Sequence, residues 1–381
     1  MRIAQIAPLA EAVPPPRYGG TERVVSYLTE ELVRAGHEVT LFASADSRSS
    51  ARLIPCAPRA LRTDPSRPDP LVYHVMELEE VRRRAGAFDL FHFHIDFLHF
   101  PLCYELPGPT LTTLHGRLDR PDLPALFELF ADLPMVSISD AQRGPIRQAN
   151  WIGTVYHGLP LALYPPRFSN GGGYLAFLGR ICPEKGPEQA LEIARRAGMP
   201  LKIAAKVDPI DEPYWRQRIE PLILRSPNVE FLGEIDDRKK AQFLGEALAL
   251  LFPIDWPEPF GMVLAEAMAC GTPVIAFRRG AVTEVVADGE SGWIVDSIEE
   301  AVEAVRAIGA LDRRRVRELA AQRFSATRMA EDYLALYRRL LDGGGGKRPK
   351  RAAFGKLSLL NGWRPLPAAE RRRIIKGTFR A

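Results

Sequence analysis

One pattern constrains this chain more than any other: short apolar segments alternate with longer amphipathic ones, and the alternation runs through twice. In the first half, strands are expected at residues 3–7, 38–43, 90–95, 110–114, 135–138 and 154–156. Residues 21–35 place Val24, Leu28 and Leu32 on one helical stripe, and Gly36 stops it. Residues 55–70 carry Pro55, Pro58, Pro65, Pro68 and Pro70 and read as a surface loop. A break at Pro165-Pro166 and Gly171-Gly172-Gly173 opens a second series. Strands are expected at 174–178, 201–205, 229–232, 249–252 and 274–277. Helices are expected at 187–197, at 214–224, from 237, and up to 269. Strands that alternate with helices close as right-handed βαβ units on a parallel sheet. The expected fold is therefore α/β, with two Rossmann-like doubly wound domains facing a cleft. Residues 1–160 form the first, 161–341 the second, and 342–381 a glycine linker and basic tail.

The length of 381 residues fits two or three domains at roughly 150 residues each. At 46% hydrophobic and 26% charged residues, the chain is neither disordered nor fibrous. It holds no apolar run near the ~18 residues that a spanning helix needs. The opening run, residues 1–8, has one arginine, is too short for a signal peptide and reads as a buried strand. Cys56, Cys103, Cys182 and Cys270 have no metal-type spacing and read as reduced thiols of a cytoplasmic protein. The net charge of +4 is a property of the tail. Residues 342–381 hold 11 basic groups against two acidic ones, while the rest holds 40 against 45. Global charge therefore gives the body no reason to bind nucleic acid.

The segment from Asp255 to Val274 carries the most chemistry. Pro259 precedes a helix of Ala, Leu, Met and Glu, which Gly271 and Pro273 end. The first turn, Gly261, Met262 and Val263, offers unpaired N–H groups and the positive end of the helix dipole, an arrangement that suits an anion. Gly261 lets the anion approach the backbone closely. Glu258 and Glu266 bracket this turn, roughly 12 Å apart if the segment is helical throughout. After the strand at 174–178 comes Gly179-Arg180, then Glu184-Lys185-Gly186. Arg180 and Lys185 leave the carboxyl end of a parallel strand, where such sheets bind ligands, and two fixed cations there suit a diphosphate. Gly19-Gly20 lies between the first strand and first helix and permits close backbone approach. There is no G-x-G-x-x-G and no Walker phosphate loop, so dinucleotide and ATPase readings lose their usual support.

These motifs resemble the retaining glycosyltransferases of family 4, which have the GT-B fold. The resemblance spans residue 1 to about 341 and rests on the E-x7-E pair Glu258 and Glu266. Gly179-Arg180, Glu184-Lys185-Gly186, Gly19-Gly20 and Leu114-His115-Gly116 fit as well. It implies a nucleotide-diphosphate sugar donor held mainly by the second domain. Arg180 and Lys185 would bind the diphosphate, Glu266 the ribose, Glu258 the transferred hexose and Gly19-Gly20 the phosphate from across the cleft. His115 would lie beside the reacting sugar. No metal cofactor is expected, because no Asp-x-Asp occurs and protein cations already face the phosphates. The acceptor stays open: a saccharide, a lipid-linked molecule or a small molecule. A sugar-nucleotide epimerase and a non-catalytic nucleotide-sugar-binding protein are the competing readings.

His92, His94 and Asp96 alternate, with His99 three residues on. They would suit a metal on one strand face, but the end of a buried strand is the preferred reading. His94 is also carried as an acceptor-side candidate. Ser139 and Arg143 read as cap and surface residues or as cleft walls, and residues 123–130 as core. The tail interleaves Lys347, Arg348, Lys350, Arg351 and Arg371–Arg373 with Phe354, Leu357 and Trp363. A docked extension, an anionic membrane surface that would hold the protein at the inner membrane face, and nucleic acid are its three readings, in that order.

Overall fold

The computed structural model describes residues 1–343 apart from Tyr18, Asn170 and Gly171, so the reading of the basic tail lies outside the described residues. The first sheet contains β1 (Arg2–Ile6), β2 (Glu38–Ser44), β3 (Arg52–Ala57), β4 (Leu90–Phe93), β5 (Thr110–Thr113), β6 (Met135–Ser137) and β7 (Trp151–Thr154). Its order is β3-β2-β1-β4-β5-β6-β7. The second contains β8 (Leu175–Arg180), β9 (Leu201–Lys206), β10 (Val229–Gly233), β11 (Ala249–Phe252), β12 (Val274–Phe277) and β13 (Gly292–Val295). Its order is β10-β9-β8-β11-β12-β13. Neighbouring strands pair in parallel throughout, with Ile3 opposite Val39 and Leu90, and Leu175 opposite Leu201 and Ala249. In each sheet the strand order reverses beside the first strand, β1/β4 and β8/β11. A crevice opens beyond the carboxyl ends at such a point.

Burial on both faces explains the apolar strand runs. Ile3, Ala4, Gln5 and Ile6 are all buried, because helices cover both sides of a parallel sheet. The helix Gly20–Arg34 packs Val24, Leu28 and Leu32 onto this sheet, each fully buried. Burying one such leucine contributes about 1.5–3 kcal/mol.

The structure departs from the sequence reading at several places. Residues 55–57 are strand rather than loop, since Pro55 sits on the edge strand β3, where a missing N–H breaks no inner ladder. A helix, Pro70–Arg83, begins at the last of those prolines, with the Asp69 carboxylate accepting from Leu71 N at 2.9 Å. The seventh strand lies three residues earlier than expected, at Trp151–Thr154. Finally, the last helix does not stay with the second sheet. The helix Ala326–Asp342 returns to the first sheet, where Tyr337 meets Gln5 and His92 and Tyr333 meets Thr113. Its buried Tyr and Leu face matches polar groups on that sheet, which periodicity alone cannot reveal.

Candidate active site

A cavity of about 800 Å³ lies between the carboxyl ends of the two sheets. Its walls include Gly19, Gly20, His94 and His115 from the first unit. From the second come Arg180, Lys185, Glu258, Gly261, Met262, Val263 and Glu266. Every residue singled out from the sequence as a site residue therefore borders one space.

Two short glycine turns aim helix ends at it. Gly261 has φ 82°, and a Cβ there would lie 2.9 Å from Leu264 Cδ1, so glycine fits where a side chain would not. The helix it starts is Met262–Ala269. Glu258 precedes the helix, as the sequence has it, so the segment is not helical throughout and the spacing of roughly 12 Å conditional on that does not apply. Gly19 has φ 145°, a Cβ on it would lie 2.9 Å from the Pro15 ring, and it starts the helix Gly20–Arg34.

The charged groups are paired. Lys185 Nζ lies 2.5 Å from Glu258 Oε2, which also accepts from Trp256 Nε1 at 3.0 Å. The Lys185 ammonium stands 5.1 Å from the Trp256 ring centre. Glu266 is buried and accepts from Lys240 Nζ at 2.7 Å and Tyr164 OH at 2.9 Å. Burial is the largest influence on the Lys240 charge and works against it, but Glu266 and Asp237 together leave the ammonium pKa raised. Arg180 is held loosely, with Asp211 at 3.4 Å, Asp208 at 3.7 Å and Glu184 at 3.9 Å. Arg23 pairs with Asp237 across the cleft. Lys240, Tyr164, Trp256 and Arg23 were not anticipated. Two of them left a signal: Trp256 stands two residues before Glu258, and Arg23 three residues after Gly20.

The histidines form a chain of hydrogen bonds. Gln5 Nε2 donates to Tyr337 OH at 3.1 Å, which turns Gln5 Oε1 toward His94 Nε2 at 2.7 Å. Burial pushes His94 well below its ordinary range, helped by His92 and His115, and pushes His115 down to about 3. Neutral rings carry one donor each. His94 Nε2–H therefore gives to Gln5, and His94 Nδ1 takes the proton of His115 Nε2 at 2.9 Å. His94 was expected to face the acceptor, yet both its nitrogens are committed, and its place is behind His115. His92 spends its nitrogens on Tyr337 and Thr113, each at 2.7 Å. These are hydrogen-bonded core histidines. Ser139 caps the helix Asp140–Arg143 through Gln142 N at 3.1 Å and donates to Pro259 O at 2.5 Å, joining the two units. Arg143 turns instead to Ser137, at 2.7 Å.

Chemically, the second unit presents two cations and a helix N-terminus, the first unit another helix N-terminus, and carboxylates stand at both ends. That arrangement can hold a dianionic group between two hydroxylated ones.

Comparison with known proteins agrees. Residues 166–322 match the family model for "Glycosyl transferases group 1", and residues 18–152 that for "Glycosyltransferase Family 4". The chain is 27% identical over 346 residues to the phosphatidyl-myo-inositol mannosyltransferase of Mycolicibacterium smegmatis, covering 82% of this chain and 85% of that one. It is 26% identical to the D-inositol 3-phosphate glycosyltransferase of the same organism, over 88% of this chain and 89% of that one. Among solved structures, AviGT4, a glycosyltransferase involved in avilamycin A biosynthesis, superposes with a TM-score of 0.70 at 24% identity, over 90% and 98% of the two chains. The sucrose-phosphate synthase of Thermosynechococcus elongatus gives 0.74 at 22%, over 90% and 99%.

Proposed function

Because this chain belongs to glycosyltransferase family 4 and has its GT-B fold, we propose that it transfers a hexose from a nucleotide-diphosphate sugar to a hydroxylated acceptor, with retention and without a metal. One observation carries the reading: Arg180, Lys185 and the helix end at Met262 and Val263 border the same cavity as Gly20 of the opposite helix end.

Breaking the sugar–phosphate bond builds negative charge on the departing diphosphate. Fixed cations and helix N–H groups stabilise that charge without reorganising, and this type of term is commonly the largest in a rate enhancement. Glu258, oriented by Lys185 and Trp256, would accept hydroxyls of the transferred sugar. Glu266, clamped by Lys240 and Tyr164, would accept those of the ribose. His115, neutral and aligned by His94, would contact the reacting sugar. Glu258 is tied to an ammonium and is poorly placed as a covalent nucleophile. That favours attack from the face the leaving group departs from, with a phosphate oxygen taking the acceptor's proton.

Two of the relatives carry inositol in their names, a phosphatidyl-myo-inositol mannosyltransferase and a D-inositol 3-phosphate glycosyltransferase, which supports a polyol or polyol-lipid acceptor here. The basic tail supports a cytoplasmic enzyme that touches the inner membrane face. A thermal-shift screen of nucleotide sugars, followed by a donor-consumption assay and NMR of the product anomer, tests the reading. Inverted configuration, or activity lost to a chelator and restored by a divalent ion, would overturn the corresponding part. Epimerised donor without transfer would favour the epimerase reading instead.

A further inference from the structure

Two polar groups on the first unit's side of the cavity take no part in the donor arrangement. His74 and Asp96 both border the space. His74 stands in the helix Pro70–Arg83, and its Nδ1 lies 2.9 Å from Glu77 Oε2 on the next turn. Glu77 is fully buried, and its other oxygen has no hydrogen-bond partner among the described residues. A buried carboxylate on one ring nitrogen fixes the imidazole and leaves Nε2 for the cavity. Asp96 follows β4 and is exposed, at φ 54°. A non-glycine residue holds that left-handed conformation at a cost, and such strain gathers where side chains must be aimed.

We propose that His74 and Asp96 form the acceptor clamp, a subsite that takes an uncharged, hydroxyl-rich compound (a polyol or a sugar) by hydrogen bonds to His74 Nε2 and to the Asp96 carboxylate. This rests on the cavity being a glycosyltransferase site. A hydroxyl both gives and accepts a proton, so it satisfies Nε2 whichever way the proton lies between His74 and Glu77. Asp96 selects a donor in the same way. A phosphate offers acceptors and negative charge, and here it meets Asp96 and the Glu77 dyad. The arginines that border the cavity on this side already carry carboxylates: Arg62 has Glu11 at 3.1 Å, Arg117 has Asp119 at 2.7 Å, Arg17 has Glu234 at 3.8 Å and Arg23 has Asp237, while Arg120, which acts on Asp96, has Asp122 at 2.6 Å. An anionic acceptor would therefore keep its charge away from this end.

The test titrates myo-inositol and methyl α-D-glucopyranoside, with inositol 1-phosphate as the charged counterpart. The full chain is first saturated with the nucleoside diphosphate found by the donor screen, and binding is read by saturation-transfer NMR. At least one uncharged probe should bind, through its hydroxyls. His74→Gln and Asp96→Asn should each weaken it about tenfold or more, as for lost hydrogen bonds to charged or oriented groups. Nucleoside diphosphate affinity should stay within about twofold, because neither residue belongs to the donor arrangement proposed above. Asp96→Gly separates binding from folding: glycine takes the left-handed backbone freely, so it should fold and melt near wild type yet bind as poorly as Asp96→Asn. The clamp is overturned if neither uncharged probe binds, if the variants keep wild-type affinity, or if only the phosphorylated probe binds. A chain that binds no nucleoside diphosphate at all would instead overturn the glycosyltransferase reading on which the clamp rests.

Discussion

Lys185 and Glu258, 73 residues apart in sequence, meet at 2.5 Å over the indole of Trp256. The pair is mostly shielded, with side chains 24% and 11% exposed. A diphosphate that reaches Lys185 must share the ammonium with Glu258, and the sharing would align both with the bond that breaks. Lys185→Ala should therefore lower turnover about 10²–10³-fold, the cost of losing one preorganised charge donor. Glu258→Gln keeps the shape and should lower kcat while leaving nucleoside diphosphate affinity nearly intact. Steady-state kinetics beside thermal melts check both. Near-normal kcat in folded Lys185→Ala would remove Lys185 from the chemistry.

Tyr337 supports the histidine chain from the returning helix. Its hydroxyl receives Gln5 Nε2 at 3.1 Å and meets His92 Nδ1 at 2.7 Å. Tyr337→Phe strands two buried polar groups and should cost about 1–3 kcal/mol in urea unfolding. It should also lower kcat, because Gln5 no longer holds its carbonyl toward His94. Tyr333→Phe should cost less, since Thr113 keeps its bond to His92 at 2.7 Å. Equal effects from the two variants would mean that simple packing of the helix, and not the hydrogen bonds, matters.

Much of this architecture was legible in the sequence, for a physical reason. Strands buried on both faces read as apolar runs, so the residues at 249–252 and 274–277 stand as expected. The helix Pro187–Ala197 stands where it was expected, and Gly198 beyond it takes φ 67° as a helix-ending glycine does. Glycine turns and strand-end cations gave the site residues, because backbone approach and position after a strand are local. What joins distant segments left no local trace. Lys240 belongs to an ordinary helix, Asp237–Glu246, and only the fold brings it 2.7 Å from Glu266. Tyr164 and Gln5 are silent for the same reason. The helix Pro70–Arg83 was hidden by exposed apolar residues, Leu71, Val72, Val75 and Met76, which blur its periodicity.

Acid should unfold the protein early. His92, His94, His99 and His157 are buried, and burial lowers the pKa of each, that of His99 to about 3. Their folded forms stay neutral where the unfolded chain, near its ordinary value of about 6.5, takes up protons. Stability is therefore unaffected by them at high pH and falls as pH drops below ~6.5, by up to about 1.4 kcal/mol per pH unit for each. Glu77 opposes this: burial pushes it up to about 7, so the folded state binds its proton first. His115, which burial also holds near 3, adds a fifth histidine to the first group, so the net slope should approach about four protons between pH 6 and 5. His99 stacks on Phe93 at 3.9 Å, outside the cavity walls, so His99→Phe should reduce that slope by about one proton whatever it does to stability itself. Chemical unfolding at a series of pH values measures it, and an unchanged slope would show that His99 charges in the folded state.

The cleft itself should respond to salt. Arg117 reaches Glu184 at 3.0 Å, and Arg17 reaches Glu234 at 3.8 Å, each pair joining one unit to the other. Arg117 is 44% exposed and Arg17 69% exposed. Exposed pairs of this kind contribute about 0–1 kcal/mol and weaken as ions screen them. Ser139 Oγ on Pro259 O, at 2.5 Å, and Glu284 on Asp140 N and Ala141 N, each at 2.7 Å, lie on uncharged or backbone groups and should hold. The first set then acts as a weak latch on a joint kept by the second. In the free protein, raising salt from low to about 1 M, where the screening length is only ~3 Å, should enlarge the radius of gyration. A nucleotide sugar touching Arg180 and Lys185 on one side and Gly20 on the other binds only the closed form well, so it should restore the compact value. The nucleoside diphosphate alone should restore less, because it lacks the sugar that reaches His115. Small-angle scattering on the three states, with crosslinks between introduced cysteines at positions 117 and 184, reads this directly. A radius and crosslink yield indifferent to both salt and donor would establish a rigid, preformed site. Closure could then play no part in keeping water from the reacting sugar.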